Sequence, residues 1–175
     1  MNKQEIMDCP NAPDWIKAAD WEGDVEIENG RVFFKSGTWK SGTWKSGKWE
    51  DGVWYDGTWK SGIWKDGVWY DGTWKSGIWK DGVWKSGTWE GGVWYDGTWK
   101  GGTWEYGVWY DGTWKGGIWE DGKWEYGVWY DGVWYDGTWI NGRWEDGLWH
   151  DGVWYDGTWK SGTWEGGTWI NGVKK

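Results

Sequence analysis

A glycine stands at every fifth residue from Gly37 to Gly172, 28 in succession, and a tryptophan at every fifth residue from Trp39 to Trp169, 27 in succession. The unit reads Gly, then mostly Thr, Val or Ile, then Trp, then mostly Lys, Tyr or Glu, then mostly Asp, Ser, Gly or Asn. A period of five matches neither the 3.6-residue helix nor sustained two-residue alternation. It does accommodate a three-residue strand such as Thr38-Trp39-Lys40 followed by a two-residue corner such as Ser41-Gly42. Along that strand the Trp points to one side and its two neighbours to the other. Longer copies are superimposed on the pentad. Asp51–Lys65 is identical to Asp66–Lys80 at an offset of 15, and Glu105–Gly112 recurs as Glu125–Gly132 at an offset of 20. Single pentads are therefore the interchangeable units.

Two arrangements of such strands compete. Trp139-Ile140-Asn141-Gly142-Arg143-Trp144 looks like a designed tryptophan-zipper hairpin, and Asn-Gly and Asp-Gly favour two-residue hairpin loops. A chain of these hairpins would be an antiparallel meander. Strand parity opposes it. Thr43 would bond back across one loop and Lys45 forward across the next, yet residues two apart direct their backbone groups to the same side. The meander would also expose its indoles as one row, far beyond an ordinary apolar patch. A parallel solenoid escapes both objections, because every Trp points to the axis and each strand stacks on the coil below.

At this point the chain resembles a known family. The pentapeptide-repeat proteins are right-handed quadrilateral β-helices with four pentads per coil, in which a central Leu or Phe and a small residue two positions earlier point inward. The matching pairs here are Gly37 with Trp39, Gly42 with Trp44, and onward to Gly167 with Trp169, over about residues 36–172. The resemblance is to an atypical Gly-x-Trp variant, since the family uses Ala, Ser or Cys with Leu or Phe. Exchanging Leu plus Ala for Trp plus Gly roughly conserves volume, the kind of change that cores tolerate best. Invariant glycine makes a second demand, a positive-φ corner or a close backbone approach.

The expected fold is thus an all-β parallel solenoid of about seven coils, roughly 33 Å long at about 4.8 Å per strand. Charge does not choose the coil size, because three pentads per coil would also stack like charges, as at Lys45, Lys60 and Lys75. The expected interior is Trp39, Trp44, Trp49, Trp54, Trp59, Trp64, Trp69, Trp74, Trp79, Trp84, Trp89, Trp94, Trp99, Trp104, Trp109, Trp114, Trp119, Trp124, Trp129, Trp134, Trp139, Trp144, Trp149, Trp154, Trp159, Trp164 and Trp169. Each buried indole N–H needs an acceptor, and corner carbonyls are the expected ones.

Residues 1–35 depart from the pattern. Asn11 to Asp14 reads as a helix start, with Trp15–Ala19 as a short helix. Val25 to Phe33 alternates around Asn29-Gly30 as a hairpin, and Phe34 already falls in the phase of the tryptophans. This segment is expected to cap the array, residues 36–175, at its amino end. The carboxyl end carries only Val173-Lys174-Lys175, so pairing there with a second copy or a larger assembly is a further expectation.

Composition narrows the function. A net charge of −9 opposes nucleic-acid binding through a basic footprint. Cys9 and His150 are the only residues of their kinds, which leaves no disulfide framework and no Cys/His metal cluster. No run of 18 apolar residues exists to span a membrane, and no secretory signal pattern is visible at Met1 to Trp15. The expected location is cytoplasmic, compatible with a phage or bacterial accessory protein. No catalytic, cofactor or metal site is expected: His150 occupies a slot otherwise held mostly by Lys, Tyr or Glu, and corner aspartates such as Asp51, Asp56 and Asp66 are turn formers. The primary expectation is a non-enzymatic rigid structural or protein-interaction module with an unidentified protein partner.

The array is electrically lopsided, with 9 Lys against 8 acids over residues 36–100, and 3 Lys and 1 Arg against 12 acids over residues 101–172. With four pentads per coil, Glu105, Glu125, Glu145 and Glu165 would form one acidic ladder. Some pentapeptide-repeat proteins imitate duplex DNA and occupy the DNA-binding surface of gyrase, so the resemblance implies a second expectation, an acidic inhibitor of gyrase or a nuclease. A third, a choline- or carbohydrate-binding repeat module, would require exposed tryptophan faces.

Overall fold

The computed structural model describes residues 1–105, 108–109, 111–120 and 123–175. Its amino-terminal part opens with helix α1, Lys3–Asp8, whose Asn2 side chain accepts from the Glu5 N–H while Glu5 reaches back to the Asn2 N–H. That capping box is readable as Asn2-x-x-Glu5, and the sequence reading passed over it. Helix α2 covers Asp14–Ala18, starting one residue before the expected Trp15–Ala19. Strands β1, Asp20–Glu28, and β2, Arg31–Ser41, pair antiparallel around Asn29-Gly30. Both turn residues have positive φ, 49° and 74°, as a two-residue primed turn requires.

The second strand does not stop at the start of the array. Phe33-Phe34 pairs in parallel with Lys48-Trp49, and Thr38-Trp39 with Val53-Trp54. Because β1 lies along β2, the first coil has no bare edge where the hairpin runs. Trp21 meets Phe34 edge-on at 5.8 Å, and Trp15 meets Trp44 edge-on at 5.0 Å, closing the end of the core with two further indoles.

From Thr43 onward each pentad contributes a two-residue strand made of the Trp and the residue before it. Every such strand pairs in parallel with the one 15 residues away, as in Ile63-Trp64 with Ile78-Trp79 and Val83-Trp84 with Thr98-Trp99. The coil therefore holds three pentads. The expected four-sided coil, with about seven turns over 33 Å, is corrected to a three-sided coil. One side is a nine-stranded sheet with one strand per coil, which gives about 38 Å at roughly 4.8 Å per interval. Parallel pairing excludes the antiparallel meander. Backbone bonds run straight between coils, Val83 N donating to Gly67 O at 2.9 Å and Lys85 N to Trp69 O at 2.8 Å.

Indole geometry explains the three sides. Along each column the rings stack, as at Trp69 and Trp84 with centroids 4.7 Å apart and planes 6° from parallel. Around the axis they meet edge to face: Trp84 lies 6.0 Å from Trp79 at 73° and 6.0 Å from Trp89 at 75°. Each ring thus touches one ring in each of the other two columns, in the two arrangements that the aromatic quadrupole favours. A fourth side would set every ring opposite a partner beyond its reach and leave an axial void. Trp39 through Trp154 are fully buried, and Trp159 is 6% exposed. Trp164 and Trp169 are only partly buried, with Lys174 Nζ lying 5.5 and 4.6 Å from their ring centroids.

The expected acceptors for the indole N–H groups are largely not found. Trp74 Nε1 donates to Gly91 O at 3.1 Å, and in the cap Trp21 Nε1 donates to Ile16 O at 2.8 Å. Among the described residues 22 buried indole nitrogens lack a hydrogen-bond partner. Ring stacking fixes the orientation of each indole, and no acceptor stands in hydrogen-bonding geometry to these nitrogens. Positive ring edges directed at neighbouring ring faces supply a weaker substitute.

Glycine's second demand is explicit at Gly82. Its φ is +121°, and a Cβ there would lie 2.4 Å from the carbonyl oxygen of Gly67 on the coil below. Gly101, at a corner, is different: a Cβ would meet nothing nearer than Lys85 O at 3.7 Å. Gly82→Ala should therefore cost about 2 kcal/mol or more. Gly101→Ala should be neutral or stabilising by up to about 1 kcal/mol. Denaturant melts of the two variants check this, and equal losses would contradict the assignment of close approach to the repeat glycine.

Candidate functional site

With Trp39 to Trp159 buried, the sides of the array present three faces, and Trp164 and Trp169 remain partly exposed at its carboxyl end. Face I is carried by the column Trp39 to Trp159, face II by Trp44 to Trp164, and face III by Phe34 and Trp49 to Trp169. The residue before each Trp lies on the face, the residue after it stands at the edge, and the next residue makes the corner. The β-branched Thr, Val and Ile that dominate the central position suit a pleated, half-buried surface.

The three-sided coil disperses the expected acidic ladder, a correction that follows from the change of offset from 20 to 15. Glu105 stacks between Glu90 and Glu120 on face II. Glu145 belongs to face I, between Tyr130 and Lys160. Glu125 belongs to face III beside Ile140, and Glu165 to face II beside His150. Several stacked charges are opposite and pair across coils: Lys75 with Glu90 at 2.9 Å and Lys160 with Glu145 at 2.8 Å. His150 Nδ1 lies 2.5 Å from Glu165 Oε2, and its ring stacks on Tyr135 at 4.8 Å.

Corner aspartates occupy themselves locally. Asp51, Asp66, Asp81, Asp96 and Asp111 form a column at an offset of 15, and each Oδ1 accepts from the N–H of the following glycine at 2.6–2.7 Å. This is the turn-forming role expected of them. Among the described residues no group of three or more His, Cys, Asp and Glu could hold a metal ion. The run of five aspartates at one offset was the sequence signal for a 15-residue coil that the reading missed.

The fold does not bring Cys9 and His150 together. Cys9 is a half-buried residue of the cap, and His150 stands on face II near the far end of the rod. A groove of about 320 Å³ beside the hairpin is lined by Arg31, Phe33, Ser46, Lys48 and Ile63 among others, with no carboxylate, imidazole or thiol in its wall. Among the described residues no helix is long and apolar enough to cross a membrane. The chain was compared with family models, curated proteins and solved structures, and nothing matches in any of the three.

Glu145 sits in a cluster of opposite charges with Arg143 and Lys160. The Lys160 ammonium, through its hydrogen bond, and then the charge of Arg143 hold its carboxyl below the usual carboxylate value. Stabilisation from this cluster is present above the unfolded carboxyl pKa and is lost as pH falls through the lowered folded one. Replacing Lys160 by Gln should raise the Glu145 midpoint, read by side-chain carboxyl NMR across the acid range. An unchanged midpoint would show that the pairing is not formed in solution.

Proposed function

We propose that this chain is a non-enzymatic rigid rod whose outward side chains form an interaction surface for a protein partner. The observation that carries the reading is the separation of roles within the pentad. Gly and Trp are held constant by coil-to-coil approach and ring packing. The edge position, by contrast, takes Lys, Tyr, Glu, His or Ile without touching that interior. Surface identity can then change residue by residue while the frame stays fixed, as in other solenoids that present extended binding faces. The five-residue unit with an inward aromatic also supports reading the array as a three-sided counterpart of the pentapeptide-repeat design.

Stiffness is the testable consequence. Dyes attached to cysteines substituted at Lys45 and Lys160, in a Cys9→Ser background, should give a single narrow energy-transfer distribution. It should stay unchanged between low and high salt until the whole array melts. A broad or salt-dependent distribution would contradict a rigid rod. Gyrase and nuclease assays in parallel separate this reading from an acidic mimic, for which inhibition should appear at low salt and fade as salt is added.

A further inference from the structure

Face II differs from the other two in ways that repeat packing does not require. Its central column, from Thr43 to Thr163, carries threonine, Ile118, Val133 and Leu148 and no charge. Arg143 interrupts face I, and Lys48 and Lys123 interrupt face III. Ile118 is 38% exposed near the middle of this uncharged strip.

Over three successive coils the two edges of face II carry opposite charges, whereas the first coil carries Lys40 and Lys45 and the next two carry tyrosine opposite Lys60 and Lys75. Lys85, Lys100 and Lys115 stand one corner away on one side, and Glu90, Glu105 and Glu120 stand on the other, on the same three coils. A fourth coil repeats the pattern with Lys160 and Glu165. Within one chain the lysines of a triad stack on each other, as do the glutamates, and like charges so placed repel. Among the described residues Lys100, Lys115, Glu105 and Glu120 form no ion pair, whereas the oppositely charged stacked neighbours Lys75 and Glu90 do.

The corner between these lysines and face II is bare. It holds Ser86, Gly101, Gly116 and Ser161 where lysine precedes it, but Asp56, Asp71 and Asp131 where tyrosine does. Backbone geometry does not call for glycine at 101 or 116, since a Cβ at either would meet only a carbonyl oxygen at 3.7 Å. No corner carboxylate stands between Lys85, Lys100 or Lys115 and the face, whereas Lys160 already pairs with Glu145.

We propose that face II is a self-association surface whose occupant is face II of a second copy, related by a two-fold axis parallel to the rod. Such an axis keeps every coil at its own height and exchanges left for right. Lys85 then meets Glu90 of the other copy, Lys100 meets Glu105 and Lys115 meets Glu120, each contact occurring twice, with the threonine and Ile118 strip between them. Only another ladder of the same pitch keeps this register. An extended peptide repeats its like-facing side chains about every 6.7 Å and slips out of phase by the third contact. The proposal is independent of rod stiffness, because a monomeric rod would be equally rigid.

Sedimentation equilibrium of the intact chain tests it. The expected result is a dimer of the 20.5 kDa chain at low salt that dissociates at high salt, as rim ion pairs require. The triple variant K85E/K100E/K115E and the triple variant E90K/E105K/E120K should each weaken association about a hundredfold or more. Mixed in equal amounts they should form a heterodimer, with near-ultraviolet circular dichroism confirming that both are folded. Reversing Lys65 and Lys80 on face III should leave the dimer intact. A monomer at all concentrations, or association that survives either triple reversal, would overturn the proposal.

Discussion

Closure of three indole columns around a dry axis is the constraint from which the remaining features follow. Each ring within the array has parallel partners above and below and edge-to-face partners to either side, as at Trp84. At the turn a side chain would meet first the backbone of the coil below and then the rim of an indole, as at Gly82 with Gly67 O at 2.4 Å and Trp79 at 3.3 Å. The coil below approaches the repeat glycine more closely than any Cβ allows. Trp and Gly are therefore two halves of one requirement. The uncommon feature is the polar cost, a core in which most indole N–H groups give up hydrogen bonding to keep the stacking register. Burying a donor without a partner costs free energy, and the array bears it because the ring contacts are repeated in every coil.

Much of this architecture was legible before any coordinates. The five-residue period, the parity argument at Thr43 and Lys45 and the size of the exposed row pointed to a parallel solenoid with inward tryptophans, and that is what the structure shows. Coil size was not, because a pentad fixes the length of a side but not the number of sides. The identity of Asp51–Lys65 with Asp66–Lys80 and the Asp51 to Asp111 column both carried the offset of 15. The Glu105 and Glu125 copies at an offset of 20 carried the rival equally openly. Ring-to-ring contact decides between them, and that is a property of three-dimensional packing rather than of spacing. The same error of offset created the apparent glutamate ladder.

The candidate surface was less legible for a related reason. Which residues are neighbours on a solenoid depends on the number of sides, so charge complementarity between the two edges of face II emerges only once residues are placed 15 apart. The core, in contrast, is insensitive to that number, since the same tryptophans point inward for any closed coil. Interior assignments survive an error in topology, while surface assignments do not.

Cross-linking across adjacent coils tests the central claim most directly. In a Cys9→Ser background, cysteines at positions 65 and 80 lie 15 residues apart on stacked coils, and cysteines at 60 and 80 lie 20 apart on different faces. Mild oxidation should close the first pair and leave the second open, with native circular dichroism retained in both. Closure of the 60–80 pair in preference to the 65–80 pair would contradict a three-sided coil and, with it, the indole packing on which this account rests.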